Sequence, residues 1–125
     1  ARVLALDLLL ANGDRTPANP NLGWHADELF VFDFEHGLTL PAARPLAAHL
    51  DVLSVLRDDH VFAPVVSPAE LRVALGRLFG RLESRPGWES TDRLPPEWRF
   101  PYAAAVAHVT SILRVRDDFV RRAVE

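Results

Sequence analysis

The chain has 125 residues, nearly half of them hydrophobic and a quarter charged, with a formal net charge of −3; that is enough for one soluble globular domain with a real core and too little for two. No apolar run approaches the ~20 residues of a membrane-spanning helix, and the amino terminus lacks the basic-then-apolar pattern of a secretion signal. The chain has no cysteine, so disulfides and thiolate metal sites are excluded. Without a basic stripe the charge pattern does not point to nucleic acid, and the expected compartment is the cytoplasm.

Arg2 to Ala11 is rich in Leu and Ala and interrupted by Asp7, which predicts a largely buried helix. Asn12-Gly13 should end it, because both residues tolerate left-handed backbone. Asp14 to Asn21 contains two prolines and several side chains able to bond their own backbone, so a rigid loop is expected. Leu22 to Trp24 and Leu29 to Phe32 then form a short hairpin turning at His25-Ala26-Asp27-Glu28, and its second strand ends on Asp33.

The remainder is helical. Pro45 to Arg57 carries Leu46, Leu50, Leu53 and Leu56 near helical spacing. Ser67 to Ser84 opens with a capping box, Ser67 with Glu70, and has Pro68 at its first position. Its apolar face is Leu71, Leu75, Leu78, Phe79 and Leu82, while Arg72, Arg77 and Arg81 fall elsewhere, on what reads as a solvated face. Arg85 to Phe100 is rich in Pro and Trp and should be irregular, with Trp88 and Trp98 as packing anchors. Pro101 to Val124 is helical again, with a break near Asp117. The predicted fold class is mainly α with a small β-hairpin, an α+β arrangement in a single domain over residues 1–125. Residues 1–40 carry the chemistry and 41–125 form a helical body.

Three oxygen-bearing side chains concentrate in the first segment. Asp14 and Asn19 share one loop with four residues between them, and Asp33 follows an apolar strand that can aim it rigidly. Phosphoryl transfer from ATP needs a carboxylate to orient the attacking hydroxyl, together with an amide oxygen and a second carboxylate to hold magnesium against the phosphates. In kinases the base and the amide ligand share a loop at this spacing. Each residue alone also fits a turn or strand-end role; the order, spacing and leading strand together favour the chemistry. Asp7 in its apolar segment needs a partner, a backbone amide or an arginine supporting the loop. Arg15 is expected to pair with a nearby carboxylate and brace the loop, with a phosphate contact as its alternative, and Asn21 to form a turn, with a contact to the metal site as its alternative. The five histidines are not at metal-ligand spacing, and His36 alone lies near the proposed site.

The string Asp14-Arg15-Thr16-Pro17-Ala18-Asn19, followed by Asp33-Phe34-Glu35, resembles the catalytic and metal-binding motifs of HipA-like kinases. The related phosphoinositide kinases share an Asp-Arg-His-x-x-Asn loop and an Asp-Phe-Gly. The similarity runs from Leu6-Asp7 through Asn19-Pro20-Asn21-Leu22 to Phe32-Asp33, about the first third of the chain. It implies a protein kinase-like carboxyl-terminal lobe, with Asp14 as the catalytic aspartate and Asn19 and Asp33 as magnesium ligands. ATP and Mg2+ would be the cofactors and an unidentified hydroxyl-bearing molecule the acceptor. Thr16 stands where the histidine is often found, and Glu35 where the glycine is, with Gly37 two residues on.

Two absences bear on this. The chain has no methionine, so Ala1 reads as the start of an excerpt, and all 14 of its Lys and Arg residues are arginine. Kinases hold the ATP phosphates with a lysine on an amino-terminal strand and a covering loop. Either an amino-terminal lobe, in cis or in trans, supplies the lysine or the site is vestigial, and the isolated chain is expected to be inactive. The alternatives are a non-catalytic kinase-like module that binds a nucleotide or a protein, and a metal-dependent phosphoester-processing domain.

Overall fold

The computed structural model describes residues 1–33, 45–85, 87–90, 92 and 95–125, with the side chains of 98–101 excepted. Helix α1 spans Arg2–Leu9 and buries Leu4, Ala5, Asp7, Leu8 and Leu9. It closes with the Ala11 N–H on the Leu8 carbonyl at 3.3 Å and the Asn12 N–H on the Asp7 carbonyl at 2.8 Å, the paired bonds of a left-handed helix cap. The left-handed residue is Ala11, with φ 52°, and not Asn12 or Gly13 as predicted. Gly13 serves a different need. A Cβ there would stand 3.0 Å from Leu56 Cδ2, so the close passage of the chain over that leucine disfavours a side chain.

Strands β1 (Leu22–His25) and β2 (Glu28–Val31) pair antiparallel, with Leu22 opposite Val31 and Trp24 opposite Leu29. The connection is the two-residue turn Ala26-Asp27, with φ 46° and 65°. Positive φ at both positions matches the right-handed twist of the strands. The hairpin is where the sequence predicts it, with His25 and Glu28 belonging to the strands rather than the turn.

The helix expected over Pro45 to Arg57 is two, α2 (Leu46–Asp51) and α3 (Leu53–Asp58). Val52 divides them: its N–H bonds the His49 carbonyl at 3.3 Å, a tightened last turn that re-aims the chain. Leu53 is thereby fully buried, and Leu46, Leu50 and Leu56 pack on the margin of the core. After a short 3-10 turn at Ala63–Val65 comes α4 (Pro68–Ser84), opened by the Ser67 and Glu70 capping box. Helix α5 (Pro96–Arg114) starts earlier than expected: Pro96 takes the first helical position, where its missing N–H costs nothing, and Pro101 lies inside the helix. The break expected near Asp117 falls at Val115, before α6 (Arg116–Val124). Trp88 is half-buried against the core, and its carbonyl accepts the Tyr102 hydroxyl. The other predicted anchor, Trp98, lies outside the described side chains, and Glu35, His36 and Gly37 lie outside the described residues.

The fold is mainly helical with one two-stranded antiparallel sheet among the described residues. Helix α1 lies on α4, α4 and α3 pack on α6, and α2 touches both α5 and α6. Leu53, Leu75, Ile112, Phe119 and Ala123 are sealed from solvent. Phe79 meets Phe119 edge to face at 5.7 Å, a favoured geometry for aromatic rings. No described helix is long and apolar enough to cross a membrane. The hairpin leaves Trp24, Phe30 and Phe32 exposed, and it is joined to the helical body through the loop that follows α1.

Candidate active site

Asp7 is the root of the site. Its carboxylate is 1% exposed and accepts three hydrogen bonds: from Asn12 Nδ2 at 2.8 Å, Arg15 Nε at 2.7 Å and His60 Nε2 at 2.9 Å. His60 Nδ1 accepts the Phe62 N–H at 3.0 Å, so the ring proton sits on Nε2 and points at Asp7. Burial pushes the Asp7 carboxyl up, but the bonds from His60, Arg15 and Asn12 outweigh it and hold the group below its ordinary value. Asp7 is therefore a charged anchor inside a helical core, in the structural role expected for it.

Arg15 carries that anchor to the hairpin. Its Nη1 donates to the carbonyls of Asn21 at 2.6 Å, Pro20 at 3.3 Å and Phe32 at 3.3 Å. The Val61 N–H in turn bonds the Arg15 carbonyl at 3.0 Å. One wholly buried guanidinium thus joins α1, the loop and the end of β2. A lysine could not span these partners, because it lacks the planar fork of donors.

Asp14 and Asn19 meet in space. Asn19 Nδ2 donates to Asp14 Oδ2 at 3.0 Å, and Asn21 Nδ2 donates to the same oxygen at 3.2 Å. The turn between them closes through the Asn19 N–H, which bonds the Thr16 carbonyl at 3.1 Å and Thr16 Oγ1 at 3.2 Å. Asn12 Oδ1 also accepts the Asp14 N–H at 3.4 Å, so Asn12 links the buried Asp7 to the loop carboxylate. Only the N–H side of an amide can face a carboxylate, so Asn19 and Asn21 turn their carbonyl oxygens away from Asp14. Asn21 does more than form a turn: it holds Asp14 from the hairpin side.

Asp33 follows Phe32, whose carbonyl Arg15 holds and whose N–H bonds the Asn21 carbonyl at 3.3 Å. It is exposed and makes no hydrogen bond to any described residue. Its φ is 59°, a left-handed conformation that costs a side-chain-bearing residue roughly 1–2 kcal/mol. Strain of this kind persists where neighbouring structure fixes the backbone. Asp14 and Asn19 are thus brought into contact, while Asp33 is brought to the same loop through its backbone neighbour and not through its side chain.

The donors available here are two carboxylates and two amide oxygens, all hard oxygen ligands suited to magnesium rather than zinc. Among the described residues no group of three His, Asp or Glu side chains could hold a metal ion, so a site at this loop depends on the asparagine oxygens. Sequence reasoning missed Asn12 and His60, whose contacts with Asp7 carry no local motif. It also missed a histidine pair: His49 Nδ1 and His108 Nε2 are 2.7 Å apart in the core, and His49 Nε2 bonds the Leu8 carbonyl at 2.8 Å. No protein-family model matches the chain, and neither curated proteins nor solved structures give a significant match.

Proposed function

We propose that this chain is the catalytic-loop portion of a HipA-like kinase carboxyl-terminal lobe, serving ATP- and magnesium-dependent transfer of the γ-phosphoryl group to a hydroxyl acceptor. The observation that carries the reading is the contact between Asp14 and Asn19 in a loop that Arg15 fastens to the strand end bearing Asp33. Transfer of this kind is achieved mostly by positioning and charge stabilisation, and a loop pinned to a buried ion pair supplies the first.

In this reading the two oxygens of Asp14 have different tasks. Oδ2 takes the Asn19 and Asn21 amides, so Oδ1 is the oxygen that faces the acceptor hydroxyl and takes its hydrogen bond. Asn19 Oδ1 and the Asp33 carboxylate hold magnesium, which when bound neutralises charge on the phosphates. The lysine that grips the phosphates comes from an amino-terminal lobe in cis or in trans, since this chain has none. The same lack of lysine favours the second reading, a kinase-like module that binds a nucleotide or protein without catalysis.

The test uses the chain together with a lysine-bearing amino-terminal lobe. ATP should bind only with magnesium, and Asp33→Ala should abolish binding. Asp14→Ala should keep ATP binding but slow transfer by roughly 10²–10⁴-fold. Magnesium-independent ATP binding, or none, favours the module. Hydrolysis of phosphoesters without ATP contradicts both readings.

A further inference from the structure

The arginines of α6 differ from three that line a groove between α1 and α4. Those of α6 are all paired: Arg116 with Glu83, Arg121 with Asp118 and Glu125, and Arg122 with Asp51 and Asp118. Arg2 of α1 and Arg77 and Arg81 of α4 line one groove between the two helices, with Leu6, Ala74 and Leu78 between them. None of these three forms an ion pair with a described residue. The groove encloses about 250 Å³ and continues past Arg2, Ala74 and Arg77 into a wider one of about 660 Å³, which reaches Ala69, Glu70 and Val73. The one acid there, Glu70, accepts the Ser67 N–H at 2.9 Å and the Ser67 hydroxyl at 2.7 Å, so its charge is committed to the helix cap.

Three guanidinium groups along one groove with no ion-pair partner among the described residues are unexpected on a chain whose net charge is −3. Their mutual repulsion is relieved by an anionic partner, and arginine stems can lie along apolar surface while their heads meet carboxylates. The floor between them is aliphatic, with Val73 53% exposed at its open end. From Ala69 to Arg81 the groove follows α4 for about 18 Å at ~1.5 Å per residue, the length of roughly three helical turns.

We propose that this groove binds an acidic amphipathic helix of a protein partner, its leucine-like face on Leu6, Val73, Ala74 and Leu78 and its carboxylates on Arg2, Arg77 and Arg81. This is the helix-in-groove mode, in which apolar anchors recur at helical spacing. Nucleic acid fits less well. The groove presents no aromatic platform for bases, and beyond the three arginines the net negative charge repels a polyanion. A flat membrane surface cannot reach an aliphatic floor recessed between two helices. No groove residue belongs to the candidate active site, so this inference and the phosphoryl-transfer reading stand or fall separately.

Fluorescence anisotropy tests it with the whole 125-residue chain and a labelled amphipathic peptide of about 18 residues with leucines on one face and glutamates flanking them. Binding should be saturable and weaken as salt rises. Arg77→Glu with Arg81→Glu should weaken it by at least ~10-fold, and the milder Arg77→Gln with Arg81→Gln should fall between. Both arginines are exposed, and circular dichroism checks that the helices survive. The same peptide with lysines for glutamates should bind the Glu variant and not the unaltered chain. Absence of saturable peptide binding, binding indifferent to both arginine pairs, or tighter binding to oligouridine or to phosphatidylserine vesicles would overturn the proposal.

Discussion

Arg15 Nε lies 2.7 Å from Asp7 Oδ2, and neither side chain is more than 1% exposed. The loop that carries Asp14 and Asn19 is therefore held to α1 by a buried ion pair, and the same guanidinium holds the carbonyls of Pro20, Asn21 and Phe32. Removing one member of such a pair leaves the other charge buried and uncompensated, at a cost of about 3–5 kcal/mol. Asp7→Ala should lower the unfolding free energy by about that much in urea titration. Arg15→Lys should also destabilise the chain, because the ammonium cannot reach all four partners.

The Asp7 carboxyl also sets an acid limit. Burial raises its proton affinity, but the bonds from His60, Arg15 and Asn12 prevail, and its folded pKa lies below the ordinary value. The unfolded state therefore binds more protons as pH falls, so this contribution is full above the unfolded value of about 3.9 and is lost as pH drops through the folded one. Urea unfolding across that range should show stability falling with pH in the unaltered chain, and a flatter curve for Asp7→Asn. The surface carboxylates Glu70 and Asp118 are lowered too, and they act equally in both proteins, so the difference isolates Asp7.

His108 gives a second, separate pH dependence. Burial pushes its pKa down, and its neighbours are the His49 ring, which stacks at 5.0 Å, and through it the Leu8 carbonyl. A lowered base takes up its proton first in the unfolded state, so stability is full above about 6.5 and declines as pH falls toward the folded value. His108→Gln should flatten the stability curve just below about pH 6.5 while leaving the acid limb of Asp7 in place.

The hairpin turn can be improved without touching the site. Ala26 and Asp27 both carry positive φ, where Asn-Gly is the preferred pair. Ala26→Asn with Asp27→Gly should stabilise the chain by about 0.5–1 kcal/mol in thermal or urea unfolding. Both residues are exposed, so no packing is lost.

The parts of this structure legible in sequence are those set by near neighbours. The Ser67 and Glu70 capping box, the hairpin and the placement of Asp14 and Asn19 in one loop all rest on residues a few positions apart. That Asp7 needs a buried partner and that Arg15 pairs with a carboxylate were legible, because a charge in an apolar helix must be compensated; that the two pair with each other is shown by the structure. What was not legible depends on distant chain segments. His60 reaches Asp7 across 53 residues and His49 reaches His108 across 59, and no local pattern announces either. The break at Val52 follows from where Leu53 must go in the core, and the start of α5 at Pro96 is concealed by the prolines around it.

Paramagnetic broadening by Mn2+, a stand-in for magnesium, tests the central claim most directly, because it locates a bound ion in the isolated chain without need of the missing lysine. The amide signals of Asn19, Asn21 and Asp33 should broaden first, recover when excess Mg2+ is added, and stay sharp in Asp33→Ala while the remaining spectrum keeps its dispersion. Broadening confined to the acidic surface around Asp117 and Asp118, or unchanged in Asp33→Ala, would contradict a magnesium site at the Asp14 loop.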